Sequence, residues 1–324
     1  MLNAEIMARY DLARDWRAAG FFETENHRQI AQTLRVGIGA GRLIAVTGPI
    51  GIGKTMFMHR LQDAVAEEKK VTIVESATVD MTRTTVQTLI TALFYQLSRE
   101  KEPRIPAQSE RRERELQKLV RRSGKPVALF VDEAHGLHSK TLNGMKRLME
   151  VIARGGGSLS IVLVGHPKLR NDLRRPTMEE IGHRTDILPF EGPGEEARAY
   201  LDWLLAQCAA KGAAVDGVIE SAALDLMAER LNTPLQFAEY LNRAFESGFR
   251  TGQKPVTAEI VEATLAPDFD DLEPRLTRQG YSVKTLADQF KARPIEIRRF
   301  LNGQLDSART RELADKMRMA GIAV

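Results

Sequence analysis

A glycine-rich stretch near residue 50 carries the most specific chemical pattern in the chain. It matches G-x-x-x-x-G-K-[ST] in full, and its residues are Gly48, Pro49, Ile50, Gly51, Ile52, Gly53, Lys54 and Thr55. Glycines let the backbone bend tightly, so that successive N–H groups face a di- or triphosphate. We expect Lys54 to reach the β- and γ-phosphates and the Thr55 hydroxyl to hold Mg²⁺. The pattern therefore predicts a nucleoside triphosphate site at residues 48–55, which we call the phosphate loop.

Two carboxylates follow an apolar stretch farther along the chain. Residues 127–131 read Val-Ala-Leu-Phe-Val and are followed by Asp132 and Glu133. A buried strand of this kind delivers the carboxylates at its end to the crevice above a parallel sheet. We expect Asp132 to hold Mg²⁺, directly or through water, and Glu133 to polarise the attacking water as a general base. Asp-Glu after an apolar strand is common, so this assignment depends on its pairing with the phosphate loop.

A histidine follows another apolar stretch, residues 159–164. A polar side chain at the tip of a strand can sense the γ-phosphate or orient the attacking water, and His166 has that place in the sequence. The alternative is that His166 caps the following turn. We expect the sensing role.

The elements that must position these residues alternate between strands and helices. Strands are predicted at 42–47, 71–75, 127–131, 159–164 and 186–190, and helices at 4–19, 26–36, 56–67, 86–97, 110–122 and 139–153. Such alternation favours a parallel α/β sheet with the ligand at the carboxyl ends of the strands. From residue 194 onward the apolar periodicity is helical, which predicts a small all-helical domain.

Composition excludes several classes of protein. No apolar run approaches the 18 or more residues that span a bilayer, and residues 1–19 lack the apolar centre of a signal peptide, so we expect a cytoplasmic protein with no membrane partner. Cys208 is the single cysteine, which excludes an intrachain disulfide and a cysteine-based zinc site. It is expected to be a small buried apolar residue.

Charge is unevenly distributed along the chain. Lys and Arg total 47 and Asp and Glu total 43, which gives +4. Residues 275–324 hold eleven basic and five acidic side chains, a local balance of +6, so the first 274 residues sum to −2. The basic segment indicates contact with nucleic acid, and a solvated charged helix is the alternative.

The order of these parts resembles that of an AAA+ ATPase over roughly residues 20–266. The resemblance implies a five-stranded parallel sheet with an all-helical lid, ATP bound between the two, and a homo-oligomer in which a neighbouring subunit completes the site. An arginine from that neighbour would stabilise the transition state. Arg184 best fits the family position before the last strand, with Arg174 and Arg175 as substitutes and surface roles as the alternative. Many AAA+ lids present an arginine to the nucleotide where this chain has Gln236, which implies a neutral donor.

Within this superfamily the chain is most similar to the ATPases that accompany DDE transposases, of the MuB, TniB and TnsC type, and to the related ExeA-like ATPases. The segments that carry the similarity are residues 21–24, 132–135, 164–167, 233–236 and 252–256. The tetrad at 132–135 also occurs in a helicase class, but the other blocks of such a helicase are absent from the sequence.

The C-terminal segment looks like a helix-turn-helix, with helices at 282–290 and 294–303 and a turn at 291–293. Ser282 suits an N-cap and Pro294 the first turn of the second helix, although Lys291 stands where glycine is usual. A three-helix protein-binding tail is the alternative. If the motif binds DNA, the residues that face it are Arg293, Arg298, Arg299 and Asn302.

These parts predict five regions. They are an N-terminal helical arm (1–20), an AAA+ α/β ATPase core (21–192), a helical lid (193–266), an acidic linker (267–274) and a helix-turn-helix-like DNA-binding tail (275–324).

The resulting hypothesis is an ATP-dependent protein that forms a ring or helical filament on double-stranded DNA, selects target sites and recruits or activates a DDE transposase. Oligomerisation and DNA would stimulate its ATP hydrolysis. The candidates for lining the DNA channel are Thr82, Arg83, Thr84, Lys140 and Arg147. The alternatives are an ExeA-like or STAND-like switch that acts on a protein partner, and a helicase loader.

Overall fold

Five apolar segments form one parallel sheet. In chain order the strands are β1 (Leu43–Thr47), β2 (Thr72–Glu75), β3 (Val127–Val131), β4 (Leu159–Gly165) and β5 (Thr185–Pro189). Their spatial order is β2-β3-β4-β1-β5, and each neighbouring pair is parallel. The register places Thr47 beside Gly165 and Pro189, so the carboxyl ends of these strands lie level. The predicted five-stranded parallel sheet is confirmed.

The structure is a computed structural model that describes residues 2–76, 81–212, 217–265 and 272–324. Its helices are α1 (Ala4–Arg9), α2 (Glu25–Gly39), α3 (Lys54–Glu67), α4 (Val86–Leu97), α5 (Ser109–Ser123), α6 (Ser139–Arg154), α7 (Pro167–Leu173), α8 (Glu179–Gly182), α9 (Ala197–Cys208), α10 (Ser221–Arg230), α11 (Pro234–Thr251), α12 (Ala258–Thr264), α13 (Leu272–Arg278), α14 (Val283–Phe290), α15 (Pro294–Leu301) and α16 (Ser307–Met319).

The backbone divides into two compact units. The helical unit comprises Met1–Asn26, Pro49–Gly53 and Glu191–Thr277. The sheet unit comprises His27–Gly48, Lys54–Phe190 and Arg278–Val324. This grouping differs from the predicted regions, because the N-terminal arm falls with the helical lid and most of the C-terminal tail falls with the α/β core. Residues 267–271 of the predicted acidic linker lie outside the described residues, and residues 272–274 begin α13.

The sheet unit has an apolar core beside its strands. Every residue of β1, β3 and β4 is buried, as expected for a parallel sheet that excludes water. Helices α4, α5 and α6 contribute Leu89, Leu116 and Met145 to this core, and none of the three is exposed. The carboxyl ends of β3 and β4, which carry the predicted site residues, are therefore fixed by packing.

The helical unit includes the first residues of the chain because their aromatic side chains belong to its core. The Tyr10 ring packs edge to face on Phe245, with centroids 4.7 Å apart, and its hydroxyl donates to the carbonyl oxygen of Gln253 at 2.7 Å. Trp16 Nε1 donates to Asn242 Oδ1 at 3.0 Å. These bonds join segments more than 220 residues apart in sequence.

The prediction of one helix over residues 4–19 was wrong. Helix α1 ends at Arg9, and Asp11 has a left-handed backbone with φ 54°. The backbone N–H of Ala13 instead donates to the carbonyl oxygen of Cys208 at 2.7 Å. Cys208 is fully buried, and burial raises the pKa of its thiol to about 11. The expectation of a small buried residue at that position is confirmed.

The C-terminal segment contains both helices of the predicted helix-turn-helix. Ser282 Oγ accepts the backbone N–H of Thr285 at 3.1 Å, which caps α14. Lys291 has a left-handed backbone with φ 51° at the turn, where glycine is usual. Helix α16 adds a third element, which only the alternative of a three-helix tail included. The residues buried where the three helices pack are Leu286, Ile297, Phe300, Leu313 and Met317.

Candidate active site

Lys54 belongs to the phosphate loop and is also the first residue of α3. Its ammonium group donates to the carbonyl oxygen of Gly48 at 2.8 Å, and only 7 % of the residue is exposed. Burial lowers the pKa of Lys54, while the carboxylates of Glu133 and Asp132 raise it. A partly desolvated cation exerts a stronger field than one in bulk water, so this ammonium group is suited to phosphate oxygens.

The Thr55 hydroxyl and the Asp132 carboxylate lie side by side. Thr55 Oγ1 donates to Asp132 Oδ2 at 2.9 Å, and the backbone N–H of Glu133 donates to Asp132 Oδ1 at 2.7 Å. Hydroxyl and carboxylate oxygens are ligands that Mg²⁺ prefers, so Thr55 and Asp132 fit the predicted metal position. Bound Mg²⁺ would supply positive charge to β- and γ-phosphate oxygens.

Glu133 has an unusual backbone at the end of β3. Its φ and ψ are 51° and 29°, the left-handed region, which costs a residue with a side chain roughly 1–3 kcal/mol. Residues held in this way concentrate at functional sites. Burial and the neighbouring Asp132 raise the pKa of the Glu133 carboxyl, and Lys54 opposes them. A raised pKa makes a carboxylate a better acceptor of a proton from water.

Two histidines pack together beside Glu133. The rings of His135 and His166 stack with centroids 3.7 Å apart, and Glu133 Oε2 lies 3.5 Å from His135 Nδ1 and 3.9 Å from His166 Nε2. Burial, followed by the charges of Lys168 and Lys54, lowers the pKa of His135 to about 4. Burial, followed by His135, lowers the pKa of His166 to about 3. Both rings are therefore neutral near pH 7.

The stacking of these rings does not suit a metal ion held by both. One ligand atom each from Glu133, His135 and His166 lies within 4.8 Å of the others. A metal bound to imidazole lies near the plane of the ring, along the nitrogen lone pair. The two ring planes are only 20° apart, so no point close to both nitrogens lies in both planes. We therefore regard the pair as neutral polar groups beside Glu133, and His135 as a site residue that the sequence reasoning missed.

Within the helical unit, the centre of the phosphate loop packs against the start of α11. Gly51 has φ 76°, and a Cβ atom there would lie 2.4 Å from Leu235 Cβ. The backbone N–H of Leu235 donates to the carbonyl oxygen of Gly51 at 3.2 Å. Only glycine satisfies both the backbone conformation and the close approach. Leu235 is thus a second residue that the sequence reasoning did not assign to the site.

The structure gives Gln236 a capping role, and its predicted role as a donor to the nucleotide stays a prediction. Its Oε1 accepts the backbone N–H groups of Asn232 and Thr233 at 2.8 and 3.1 Å, and the residue is 8 % exposed. Thr233 Oγ1 in return accepts the backbone N–H of Gln236 at 3.3 Å. This reciprocal arrangement is a capping box, so Gln236 serves the N-terminus of α11.

Comparisons with known proteins agree with this geometry. Residues 38–173 match the family model described as AAA domain. The sheet unit has the fold of an AAA+ ATPase core. Together with the assembled site residues, the AAA domain supports ATPase activity.

Two solved structures share the fold at low sequence identity. The ORC2 protein of Aeropyrum pernix, in ADPNP and ADP complexes, has a TM-score of 0.57 and 14% identity over 96% of this chain and 91% of that chain. Cdc6p of Pyrobaculum aerophilum has a TM-score of 0.53 and 16% identity over 92% of this chain and 87% of that chain. A search of curated proteins finds no match. Within the described ranges, no helix is long and apolar enough to cross a membrane.

The three candidate arginines of the AAA+ core have different surroundings. Arg184 precedes β5 and pairs with Glu150 across 3.1 Å. Arg175 pairs with Asp172 across 2.7 Å. Arg174 is exposed and has no ion pair in the described part of the chain. Arg184 lies at the amino end of its strand, whereas Asp132 follows the carboxyl end of β3. The two positions are thus at opposite edges of the parallel sheet.

One of the predicted channel residues is not available to DNA. Thr84 is 1 % exposed, and its carbonyl oxygen accepts the Thr141 hydroxyl of α6 at 2.9 Å. Its assignment as a DNA contact is therefore corrected, because this bond and its burial give it a packing role. The other four predicted channel residues are exposed on the sheet unit, namely Thr82, Arg83, Lys140 and Arg147.

The residues predicted to face DNA from the tail are all exposed. Arg298 and Arg299 lie in α15, and Asn302 directly follows it. Asn302 comes four residues after Arg298 and three after Arg299, a spacing that places the three side chains on one side of the helix. Ile295, 55 % exposed, lies on the same side. Arg293 contributes to the cap of α15, where its backbone N–H donates to Glu296 Oε2 at 2.9 Å.

Proposed function

We propose that the chain is an ATP-dependent DNA-binding AAA+ ATPase that oligomerises on duplex DNA, selects target sites and recruits or activates a DDE transposase. The observation that carries the DNA-binding part is the exposed basic side of α15. This helix belongs to a three-helix segment whose first two helices, α14 and α15, lie at the positions of the predicted helix-turn-helix. The transposition part is supported by the sequence similarity to the MuB, TniB and TnsC type.

The proposed hydrolysis uses residues at the carboxyl ends of β1, β3 and β4. Lys54 holds the β- and γ-phosphate oxygens, and Thr55 and Asp132 would hold Mg²⁺. Glu133 accepts a proton from the attacking water. The neutral rings of His135 and His166 can each donate one N–H group, which allows them to orient that water or contact the γ-phosphate.

An oligomer supplies the proposed catalytic arginine from a neighbouring subunit. The Arg184 to Glu150 pair is exposed, with 59 % and 37 % of the side chains accessible, and such pairs contribute about 0–1 kcal/mol. Breaking it to reach a neighbour therefore costs little. Arg174 needs no pair to be broken. We propose Arg174 and Arg184 as the first two candidates and Arg175 as the third.

The proposed DNA contact begins with α15. Arg298 and Arg299 approach phosphates or guanine, and Asn302 approaches adenine. Arg293 adds a basic side chain at the N-terminus of the same helix. The exposed residues Thr82, Arg83, Lys140 and Arg147 are proposed to contact the duplex from the ATPase core. Phosphate contacts make such binding strongly dependent on salt.

The DNA-binding part is tested by fluorescence anisotropy with a labelled duplex over a range of salt concentrations. The double variant Arg298→Ala/Arg299→Ala should weaken binding at least about tenfold and reduce the log–log salt slope by about 2. The matched control is Arg311→Ala/Arg318→Ala, which removes the same charge from α16 and should lower affinity less than about threefold. Equal losses in both variants would argue against a specific DNA-binding side on α15.

Oligomerisation is tested by negative-stain electron microscopy with duplex DNA, with and without a non-hydrolysable ATP analogue. Rings or filaments on DNA that require the nucleotide are expected. Immobilised duplex coated in this way should then retain a DDE transposase from the same organism, and ADP should abolish retention. Filaments that retain no transposase would contradict the transposition role and leave the DNA-binding role standing.

A second candidate function is an ATP-driven switch that acts on a protein partner, as in ExeA-like and STAND-like proteins. The exposed Ile295 on α15 favours it, because an apolar side chain among arginines also suits a protein surface. Particles that bind nucleotide and ignore DNA in the microscopy experiment would favour this function. Retention of a replicative helicase would favour a helicase loader.

A further inference from the structure

The segment that enters the C-terminal three-helix bundle crosses the sheet unit next to His166. The backbone N–H of Lys168, in the first turn of α7, donates to the carbonyl oxygen of Gln279 at 3.2 Å. Gly280 follows, and then Tyr281, which is 2 % exposed. The chain therefore runs against the residues that directly follow β4.

Gly280 touches the ring of His166 itself. It has φ 91°, and a Cβ atom at this position would lie 2.8 Å from both His166 Cβ and His166 Nδ1. Real Cβ atoms essentially never approach other atoms so closely, so a side chain here must displace His166 or the segment that carries it. The glycine allows both the left-handed backbone and the contact.

Packing, rather than hydrogen bonding, holds the His166 ring. Its Nδ1 is buried and has no hydrogen-bond partner among the residues that the structure describes. One neighbour is the stacked ring of His135 at 3.7 Å, and another is Gly280. The position of His166 near Glu133 thus depends on where the tail segment lies.

Helix α7 also binds the two ends of the three-helix bundle. Asn171 Nδ2 donates to the Tyr281 hydroxyl at 2.7 Å and to the carbonyl oxygen of Gly321 at 3.3 Å. Tyr281 precedes α14 and Gly321 follows α16. One side chain therefore connects the start and the end of the bundle to the helix that begins beside His166.

We propose that Gly280 is a positioning residue for hydrolysis, because it sets the place of His166 beside Glu133. Through this contact, a ligand bound to α14–α16 alters the rate of ATP turnover. That this ligand is duplex DNA rests on the proposed function. The effect of Gly280 on turnover in the absence of DNA is independent of the proposed function.

The test compares Gly280→Ala with Gly303→Ala in the full chain. Gly303 lies in the same segment with φ 66°, and a Cβ atom there would meet nothing within 4 Å. Because misplacing a catalytic group by about 1 Å can cost up to about 10²-fold, Gly280→Ala should lower kcat at least about fivefold. Nucleotide affinity should change less than about twofold. Gly303→Ala should leave kcat within about twofold of wild type. Equal kcat values for the two variants would overturn the proposal.

A double-mutant cycle with His166→Ala checks that Gly280 acts through the histidine. In the His166→Ala background, Gly280→Ala should change kcat less than about twofold, because the side chain that it displaces is gone. If Gly280→Ala lowers kcat as much in the His166→Ala background as in wild type, Gly280 acts independently of His166 and the proposal is overturned. If circular dichroism shows that Gly280→Ala does not fold, Tyr281→Phe decides. It removes only the hydroxyl bonded to Asn171 and should lower kcat, and an unchanged kcat would overturn the proposal.

The DNA arm measures kcat with and without saturating duplex. Wild type should show a change in kcat that Gly280→Ala largely loses, while both proteins bind the duplex equally. A Gly280→Ala protein with the wild-type response would overturn the coupling. If wild type binds no duplex, the proposed function fails, and the comparison of Gly280→Ala with Gly303→Ala in the absence of DNA still decides the role of Gly280.

Discussion

Glu133 is the residue on which the proposed chemistry depends most directly. It follows the carboxylate that accepts the Thr55 hydroxyl, its own pKa is raised, and two neutral histidines lie within 4 Å of its Oε2 atom. In the proposed mechanism, Lys54, Thr55 and Asp132 bind the nucleotide and its metal ion, whereas Glu133 accepts a proton. Substitutions at these residues should therefore affect nucleotide binding and ATP turnover separately.

Replacing Glu133 by glutamine should abolish turnover and retain ATP. Loss of a general base costs about 10²–10⁴-fold in kcat, while the amide still fits the site. Lys54→Ala should instead abolish nucleotide binding, because it removes the cation that meets the phosphates. Phosphate release and calorimetric binding measure the two effects, with the exposed Glu110→Gln as the control. Turnover at the wild-type rate in Glu133→Gln would show that the base is another group.

The half-buried histidines His135 and His166 should make the protein less stable in mild acid. The folded-state pKa of His135 is about 4, below its ordinary value of 6.5, so the unfolded chain binds more protons between these values. Stability is therefore fully present above pH 6.5 and is lost as the pH falls toward 4. Between pH 7 and pH 4.5, the free energy of unfolding should fall less in His135→Gln than in wild type, by on the order of 1–2 kcal/mol.

Urea unfolding at pH 7 and pH 4.5 measures this change in the free energy of unfolding. His183→Gln is the control, because 79 % of the His183 side chain is exposed. A pH dependence that is equal in wild type and His135→Gln would contradict the neutral, buried state of His135.

Single residues with a fixed local pattern were predictable from sequence, and those defined by distant neighbours were not. Lys54, Thr55 and Asp132 lie where the phosphate loop and the strand end predict them. The contact of His166 with Gly280 joins residues 114 positions apart, which no local pattern encodes. His135 is intermediate: its place two residues after Glu133 was visible, but its stacking on His166 was not.

Helix α11 shows how one residue can carry a local structural signal that a family resemblance overlooks. Thr233 and Gln236 have the spacing of a capping box followed by an apolar helix, a signal that is present in the sequence. The family resemblance directed attention to the nucleotide instead. In the structure, Gln236 Oε1 accepts two backbone N–H groups. The capping role therefore predicts that substitution of Gln236 lowers stability and changes turnover little.

Gln236→Ala should destabilise the protein by about 1 kcal/mol and leave kcat within about threefold of wild type. The cost arises because two backbone N–H groups lose their acceptor. Gln236→Glu keeps a side-chain oxygen in the cap and should be near wild type in stability. Chemical denaturation and phosphate release measure the two quantities. A large loss of nucleotide affinity with unchanged stability would instead show that Gln236 donates to the nucleotide.

Strands were more predictable than the ends and breaks of helices. The strands are short apolar runs, and burial on both faces gives them a strong sequence signal. The first helix was predicted to extend to residue 19, but it ends at Arg9. The left-handed Asp11 and the pairing of Ala13 with Cys208 end it, and that pairing depends on a partner 195 residues away.

At the scale of the whole molecule, mixed oligomers should reveal which arginine acts on a neighbour. If Arg174 is that residue, Arg174→Ala and Lys54→Ala should each be nearly inactive alone, the first through its missing arginine and the second through its missing phosphate contact. An equal mixture should recover up to about one quarter of wild-type turnover, because some intact sites then face an intact arginine.

The same mixture with Arg184→Ala is the matched comparison. Recovery with one arginine variant and not the other identifies the residue that acts across the interface. An absence of recovery with these two variants and with Arg175→Ala, at concentrations where oligomers form, would contradict an arginine supplied by the neighbour.

The grouping of the chain into two units was the least predictable level. The sequence indicates an N-terminal arm, a core, a lid and a tail in linear order, since composition changes along the chain. Tyr10 and Trp16 instead complete the core of the helical unit, and the tail residues Tyr281 and Gly321 bind α7 of the sheet unit. These associations depend on side-chain fit between distant segments.

The left-handed backbone of Glu133 has a consequence for protein engineering. Glycine or asparagine adopts this conformation more readily than glutamate, so either substitution should relieve strain and raise the melting temperature. Each would also delete the proposed general base. A library screened only for heat resistance would therefore enrich inactive proteins at this position, and thermostable variants of the enzyme must be selected for turnover at the same time.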